Sequence, residues 1–241
     1  MDKLIANLKN IINNSDNIVF FGGAGVSTES NIPDFRSEKG LYNAVSNYGY
    51  PPEEMLSRTF FEKHTETFYK YYKENMLYLS AKPNIAHKAL AKLERDGKLK
   101  AIITQNIDGL HQLAGSKNVI ELHGSVHRNY CRKCKMFYNA TYIKNSDGMP
   151  KCECGGLIKP DVVLYEEGLN SNSIEKAISY IERAKTLIVG GTSLAVYPAA
   201  SFINYFRGDD LVLINKTPTS YDKMATLVIN EKIGDILGNI I

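Results

Sequence analysis

The sequence predicts an α/β protein: a doubly wound parallel sheet with a smaller second module beside it. Three observations predict it. Short apolar runs recur along the chain, each closed by a turn and several separated by helical patterns. The runs are continuously apolar rather than alternating, which suits parallel strands covered on both faces. Two segments, 38–82 and 124–160, break the pattern: the first is rich in aromatics and the second holds all four cysteines.

In chain order, Leu4, Ile5, Leu8, Ile11 and Ile12 fall on one face at helical spacing and predict an N-terminal helix. The apolar runs 18–21, 101–104, 119–122, 162–165, 186–189, 211–214 and 227–229 read as strands. Helical stretches at 85–95, 173–184, 198–206 and 231–237 lie between or after them, and Pro83-Asn84 suits the start of the first. Within the first insertion, "TETFYKYYKENMLYL" reads as helix. Residues 1–37, 83–123 and 161–241 are therefore expected to form a Rossmann-like domain, with 38–82 and 124–160 together forming the small one.

A chain of 241 residues has room for one large domain carrying a smaller one. The net charge of +3, from scattered basic residues, argues against a specific nucleic-acid binder. The N-terminal stretch "MDKLIANLKNIINNSDN" has no uninterrupted apolar core of a secretion signal. No run approaches the roughly 18 apolar residues of a membrane span. A soluble, cytoplasmic protein is expected, and without a long amphipathic heptad pattern, a monomer.

Polar groups gather where strands end. Gly23-Ala24-Gly25 follows the first strand, and such glycines allow a tight turn and close approach of the backbone to a pyrophosphate. Thr28 takes the place of the third glycine of the usual fingerprint, and no acidic residue closes a second strand about 20 residues on. A glycine turn without a ligand therefore stays open as a reading. Gly190-Gly191-Thr192-Ser193 repeats the arrangement, and Asn215 ends another strand, where its amide could hold a ribose hydroxyl. "TQNIDGLH" brings Gln105, Asn106 and Asp108 to a strand end, although Asp108-Gly109 is also an ordinary turn signal. In "ELHGS", His123 follows a strand and is a candidate base. Cys131-x2-Cys134 and Cys152-x-Cys154 supply four thiolates on two short knuckles, the donor set of a closed, structural zinc site; buried free cysteines are the alternative.

Together these motifs resemble the sirtuins, the NAD-dependent protein deacylases. The resemblance runs through "GAGVSTESNIPDFRS", "TQNIDGLH", "HGS", the four cysteines, "KPDVVLYEEGL", "GTSLAVYPAA" and "IN", nearly the whole chain. It implies an enzyme that moves the acetyl group of acetyl-lysine to ADP-ribose and releases nicotinamide, with NAD consumed and one zinc ion per chain. Gly23, Ala24 and Gly25 would then hold the pyrophosphate. Ser27, Thr28, Asp34, Phe35 and Arg36 would belong to a mobile cofactor loop, which explains why the glycine turn runs into Pro33-Asp34-Phe35-Arg36 instead of a simple helix. Asp108, with the backbone of Ile107, would take the nicotinamide carboxamide, Asn106 and Ser27 would position ribose or water, and His123 would act as general base. Gln105, Gly191, Thr192, Ser193 and Asn215 would hold the adenosine half, with Ile233 near the adenine.

The peptide is expected as an added strand between 162–168 and 193–197, on Val163, Leu164, Tyr165, Glu166, Leu194 and Val196. The sequence departs from the family's common pattern at Asn31, usually Gly, and at Tyr165-Glu166-Glu167, usually Phe-Gly-Glu. Members that remove succinyl or malonyl groups carry Tyr-x-x-Arg in the helical insertion. The matching positions here are Tyr69 and Tyr72, with a tyrosine where the arginine would stand, so a small uncharged acyl group is expected; Arg58 and Lys73 are cations that could reach the site from elsewhere. Protein ADP-ribosyl transfer and a non-catalytic NAD- or ADP-ribose-binding regulator are the competing readings.

Overall fold

The computed structural model describes residues 1–34 and 45–240. The chain opens with α1 (Asp2–Asn14) and β1 (Ile18–Gly22). The helical insertion follows as α2 (Pro52–Met55), α3 (Arg58–Lys63) and α4 (Thr65–Asn75). Next come α5 (Ile85–Arg95), β2 (Leu99–Thr104), α6 (Leu110–Leu113) and β3 (Val119–Glu121). The cysteine segment contributes β4 (Gly124–Cys131), β5 (Phe137–Tyr138), α7 (Ala140–Asn145) and β6 (Ile158–Val162). The chain closes with α8 (Ser171–Arg183), β7 (Thr186–Gly190), a 3-10 helix (Ala199–Tyr205), β8 (Asp210–Ile214), β9 (Leu227–Ile229) and α9 (Ile233–Gly238).

Six strands form one sheet in the order β3-β2-β1-β7-β8-β9, every pairing parallel. Counted within the sheet this is the doubly wound order, whose direction reverses between β1 and β7. The continuous apolarity of β1 has its cause here. Ile18 and Phe20 enter a core with Leu8, Ile12, Leu90 and Ile236, whereas Val19 and Phe21 enter the opposite core with Ile181, Leu187 and Phe202. A third core joins the aromatics of α3 and α4 to Cys131, Cys152, Ile158, Val162 and Leu164. Its sheet is small and antiparallel, β5-β4-β6.

Two expectations change. The run 162–165 is not a strand of the parallel sheet: the strand there is β6, paired antiparallel with β4. Its burial alternates, with Ile158, Pro160 and Val162 inward and Asp161 out, the mark of a sheet buried on one face. The helix expected at 198–206 is a 3-10 helix.

Candidate active site

The site grows from the strand ends at the reversal point. After β1 the chain does not enter an α-helix. It makes two 3-10 turns, Ala24–Val26 and Thr28–Ser30, and then Asn31 adopts a left-handed conformation at φ 61°. Asn is among the few non-glycine residues that tolerate this region, which accounts for its presence where the family usually has Gly. Asn84, the N-cap of α5, donates to Val26 O at 2.8 Å and Ser30 Oγ at 3.0 Å, and the Glu29 carboxylate accepts from Gly234 N at the start of α9. The loop is thereby tied from two sides. Gly25 N donates to Gly191 O at 2.8 Å, and a Cβ at position 25 would meet Gly191 Cα at 2.7 Å. The glycine there is required by backbone-to-backbone packing.

A cavity of about 500 Å³ lies against these strand ends. Of the residues singled out in the sequence, it is lined by Gly23, Ala24, Ser27, Asp34, Gln105, Asn106, Ile107, Asp108, His123, Val163, Leu164, Tyr165, Glu166, Gly191, Thr192, Ser193 and Val196. Gly25, Thr28, Leu194, Asn215 and Ile233 do not line it. Thr28 Oγ1 donates to Gly25 O, Leu194 and Ile233 are buried, and Asn215 Oδ1 accepts from Thr192 N at 2.8 Å. Phe35 and Arg36 lie outside the described residues.

One hydrogen-bonded cluster stands at the floor of the cavity. Ser27 Oγ donates to Asp108 Oδ2 at 2.6 Å, Asn106 Nδ2 donates to Ser27 Oγ at 3.1 Å, and Leu110 N donates to Asp108 Oδ1 at 2.9 Å. His123 Nδ1 lies 2.9 Å from Gln105 O. A carbonyl only accepts, so Nδ1 carries the hydrogen and, in the neutral ring, Nε2 carries the lone pair. The site thus offers a base beside a fixed carboxylate and two amides. Gln105 Nε2 also donates to Thr192 Oγ1 at 3.1 Å, which links the ends of β2 and β7.

The residues fit a dinucleotide. The strand ends meet where ligands of open α/β sheets bind, and the buried Asn215 Nδ2 has no partner among the described residues. The cavity also has walls the sequence did not point to: Leu56, Asn75, Met76, Tyr78 and Leu79 from the helical insertion, and Val126 and His127 from β4. A shift of register in β4 between Ser125 and Asn129 lets neighbouring residues face the cavity together, where strict alternation would have offered every second one.

The sulfurs of Cys131, Cys134, Cys152 and Cys154 all lie within 4.8 Å of one another, and none is in a disulfide. A tetrahedral zinc with four thiolates needs sulfurs about 3.8 Å apart, and Cys131–Cys154 and Cys134–Cys152 stand at 3.5 Å. The backbone N–H groups of Cys134 and Lys133 point at Cys131 Sγ, and these donors bring its thiol down to about 6. The four residues are positioned to hold a zinc ion, and four protein thiolates leave no position for water, which is the donor set of a structural site. Because Cys131 and Cys152 also belong to the small core, Cys131→Ala should lower the melting temperature and the yield of soluble protein. Metal analysis of purified protein should give one zinc per chain; metal-free protein with full activity would refute the site.

Residues 23–198 match the Sir2 family. The chain belongs to this family. It is 65% identical over 98% of its length to the NAD-dependent protein deacetylase of Clostridium tetani, covering 96% of that protein. Identity to the NAD-dependent protein deacetylase of Clostridium acetobutylicum is 61%, over 100% of this chain and 99% of the relative. Among solved structures, a Sir2 with deacetylated p53 peptide and 3′-O-acetyl ADP ribose superposes with a TM-score of 0.89 at 40% identity, covering 98% of this chain and 96% of the other. A Sir2 with p53 peptide and NAD+ superposes with a TM-score of 0.85 at 40% identity, covering 97% and 95%.

Proposed function

We propose that this Sir2 protein is an NAD-dependent protein lysine deacetylase that consumes NAD and acts on acetyl-lysine in proteins or peptides. The observation that carries the reading is the meeting of His123, Asn106, Asp108 and Ser27 in a cavity that is also lined by the apolar set Leu56, Met76, Ile107, Val126 and Leu164. The polar floor suits a dinucleotide, and the apolar wall suits the stem and methyl of an acetyl-lysine. NAD, when bound, supplies the ADP-ribose that receives the acetyl group. The protein's tasks are to orient and to move one proton. Asp108, fixed by Ser27 and Leu110, takes the carboxamide through its carboxylate edge. Asn106 orients ribose or water. His123 Nε2 accepts the proton of a ribose hydroxyl, and the Nδ1–H bond to Gln105 O holds the ring in the tautomer that can do so. The peptide lies along 162–168 and 193–197 as an added strand. The thiols, gathered for a metal, suit a reducing compartment and support a cytoplasmic enzyme.

The test is nicotinamide release from NAD with and without an acetylated peptide, with the products weighed by mass spectrometry. Release that needs the acetyl group and yields acetyl-ADP-ribose supports the reading. ADP-ribose attached to protein would indicate transfer to protein instead, and no release would leave only a binding protein.

A further inference from the structure

From the contact between β4 and the turn after β2, we infer that His127 is a positioning residue for the nicotinamide end of the site, an assignment that rests on the deacetylase reading. His127 Nε2 lies 2.9 Å from the backbone carbonyl of Asp108, and His127 lines the cavity. The carbonyl can only accept, so Nε2 carries the hydrogen. One residue earlier, Val126 N donates to Ile107 O at 3.0 Å. Two successive residues of the small sheet thus hold the two successive carbonyls of the turn that carries Asp108.

The turn needs holding. Gly109 stands at φ +73°, and glycine enters positive and negative φ about equally well, so the peptide between Asp108 and Gly109 has little intrinsic preference for one orientation. A flip of that peptide would turn the Asp108 carbonyl away from β4 and release the turn, loosening the hold of Ser27 Oγ and Leu110 N on the carboxylate. The His127 N–H bond selects the orientation in which the Asp108 carbonyl points toward β4 and its carboxylate stays with Ser27. The imidazole also lies over Gly109: a Cβ there would come within 2.8 Å of His127 Cδ2. His127 acts through Asp108 and takes no part in proton transfer.

The test separates the hydrogen bond from the ring. His127→Phe keeps a ring over Gly109 and removes the donor, His127→Ala removes both, and His127→Gln restores a donor of similar reach. Steady-state kinetics with an acetylated peptide give the KM for NAD, the inhibition constant of nicotinamide and the KM for peptide. In the Phe and Ala variants the first two should rise together by about five-fold, the loss of one net hydrogen bond. The peptide KM and the melting temperature should stay in place, and the Gln variant should return within about two-fold of the parent. A donor-less variant that folds and keeps the parent's NAD KM and nicotinamide inhibition would overturn the assignment, as would an equal rise in peptide KM. Parent turnover is measured in the same assay. Its absence would sink the deacetylase reading, whereas turnover that is indifferent to His127 sinks only this assignment.

Discussion

His123→Ala is expected to lower deacetylation by about 10²–10⁴-fold, the usual contribution of a positioned acid or base, while nicotinamide exchange falls much less. The division follows from where the groups stand. In the proposed scheme the carboxamide end falls to Asp108, whose carboxylate is fixed by Ser27 and Leu110, and His123 is in neither of those bonds. His123 is anchored to Gln105 O at the end of β2, and its own carbonyl accepts from Val163 N at 3.0 Å. The alanine variant keeps that backbone bond, so the strand ends should stay in place and the melting temperature should be close to the parent's. Comparing nicotinamide–NAD exchange with acetyl-peptide turnover in the same preparation checks it. Equal loss of both, or a loss of NAD binding as large as the loss of turnover, would make His123 a positioning group and remove the base from the scheme.

The parallel sheet was legible because its physics is written locally. A strand covered on both faces must be apolar throughout, and β1, β7 and β8 are. The cysteines were legible from spacing. The small sheet was harder to read. Pro160 sits inside β6, where a proline argues against a strand, so the apolar residues just after it, Val162 and Leu164, looked like the start of a buried parallel strand. They serve a different core, that of Phe61, Tyr69 and Ile158.

Burial of histidines was not legible at all. His87 and His111 are fully buried with ring centroids 4.8 Å apart, and burial brings them down to about 4 and about 3. Strand-end position singled out His123 in the sequence, but nothing there marked His87 and His111 as buried, and neither can serve as a base that must exchange protons near neutrality. His87 instead closes the capping box of α5 with Asn84, whose amide holds the loop after β1. His127 was missed for another reason: whether it faces the cavity depends on the register shift in β4, which no periodicity reveals.

Acetyl-lysine should be processed at least about 100-fold faster than succinyl-lysine on the same peptide, and the structure replaces the reason the sequence offered. The expectation rested on Tyr69 and Tyr72 standing at the acyl end of the pocket. Neither lines the cavity. Tyr69 OH donates to Ile158 O, and Tyr72 is buried against Phe68 with ring centroids 5.5 Å apart. Lys73 is also committed elsewhere: its ammonium donates to Ser146 O and Gly148 O, both at 2.6 Å, and joins α4 to the zinc module. Arg58 is exposed and does not line the cavity. Among the described residues the lining contains no lysine or arginine, and it contains the carboxylates Asp34, Asp108, Glu166 and Glu167. The free carboxylate of a succinyl group would therefore lose its water against Leu56, Met76 and Leu79 with no lysine or arginine among the described lining residues to replace it, and would face like charges besides. Burying such a group unpaired costs several kcal/mol, and about 2.7 kcal/mol already corresponds to 100-fold. The deciding measurement is kcat/KM for matched acetyl and succinyl peptides at saturating NAD. The same argument gives a second arm: Met76→Arg places a guanidinium on the apolar wall and should narrow the ratio from both sides, by helping succinyl and by desolvating a charge against acetyl. Succinyl turnover equal to or faster than acetyl turnover in the parent enzyme would mean that a cation reaches the acyl group after all, and would overturn the charge argument.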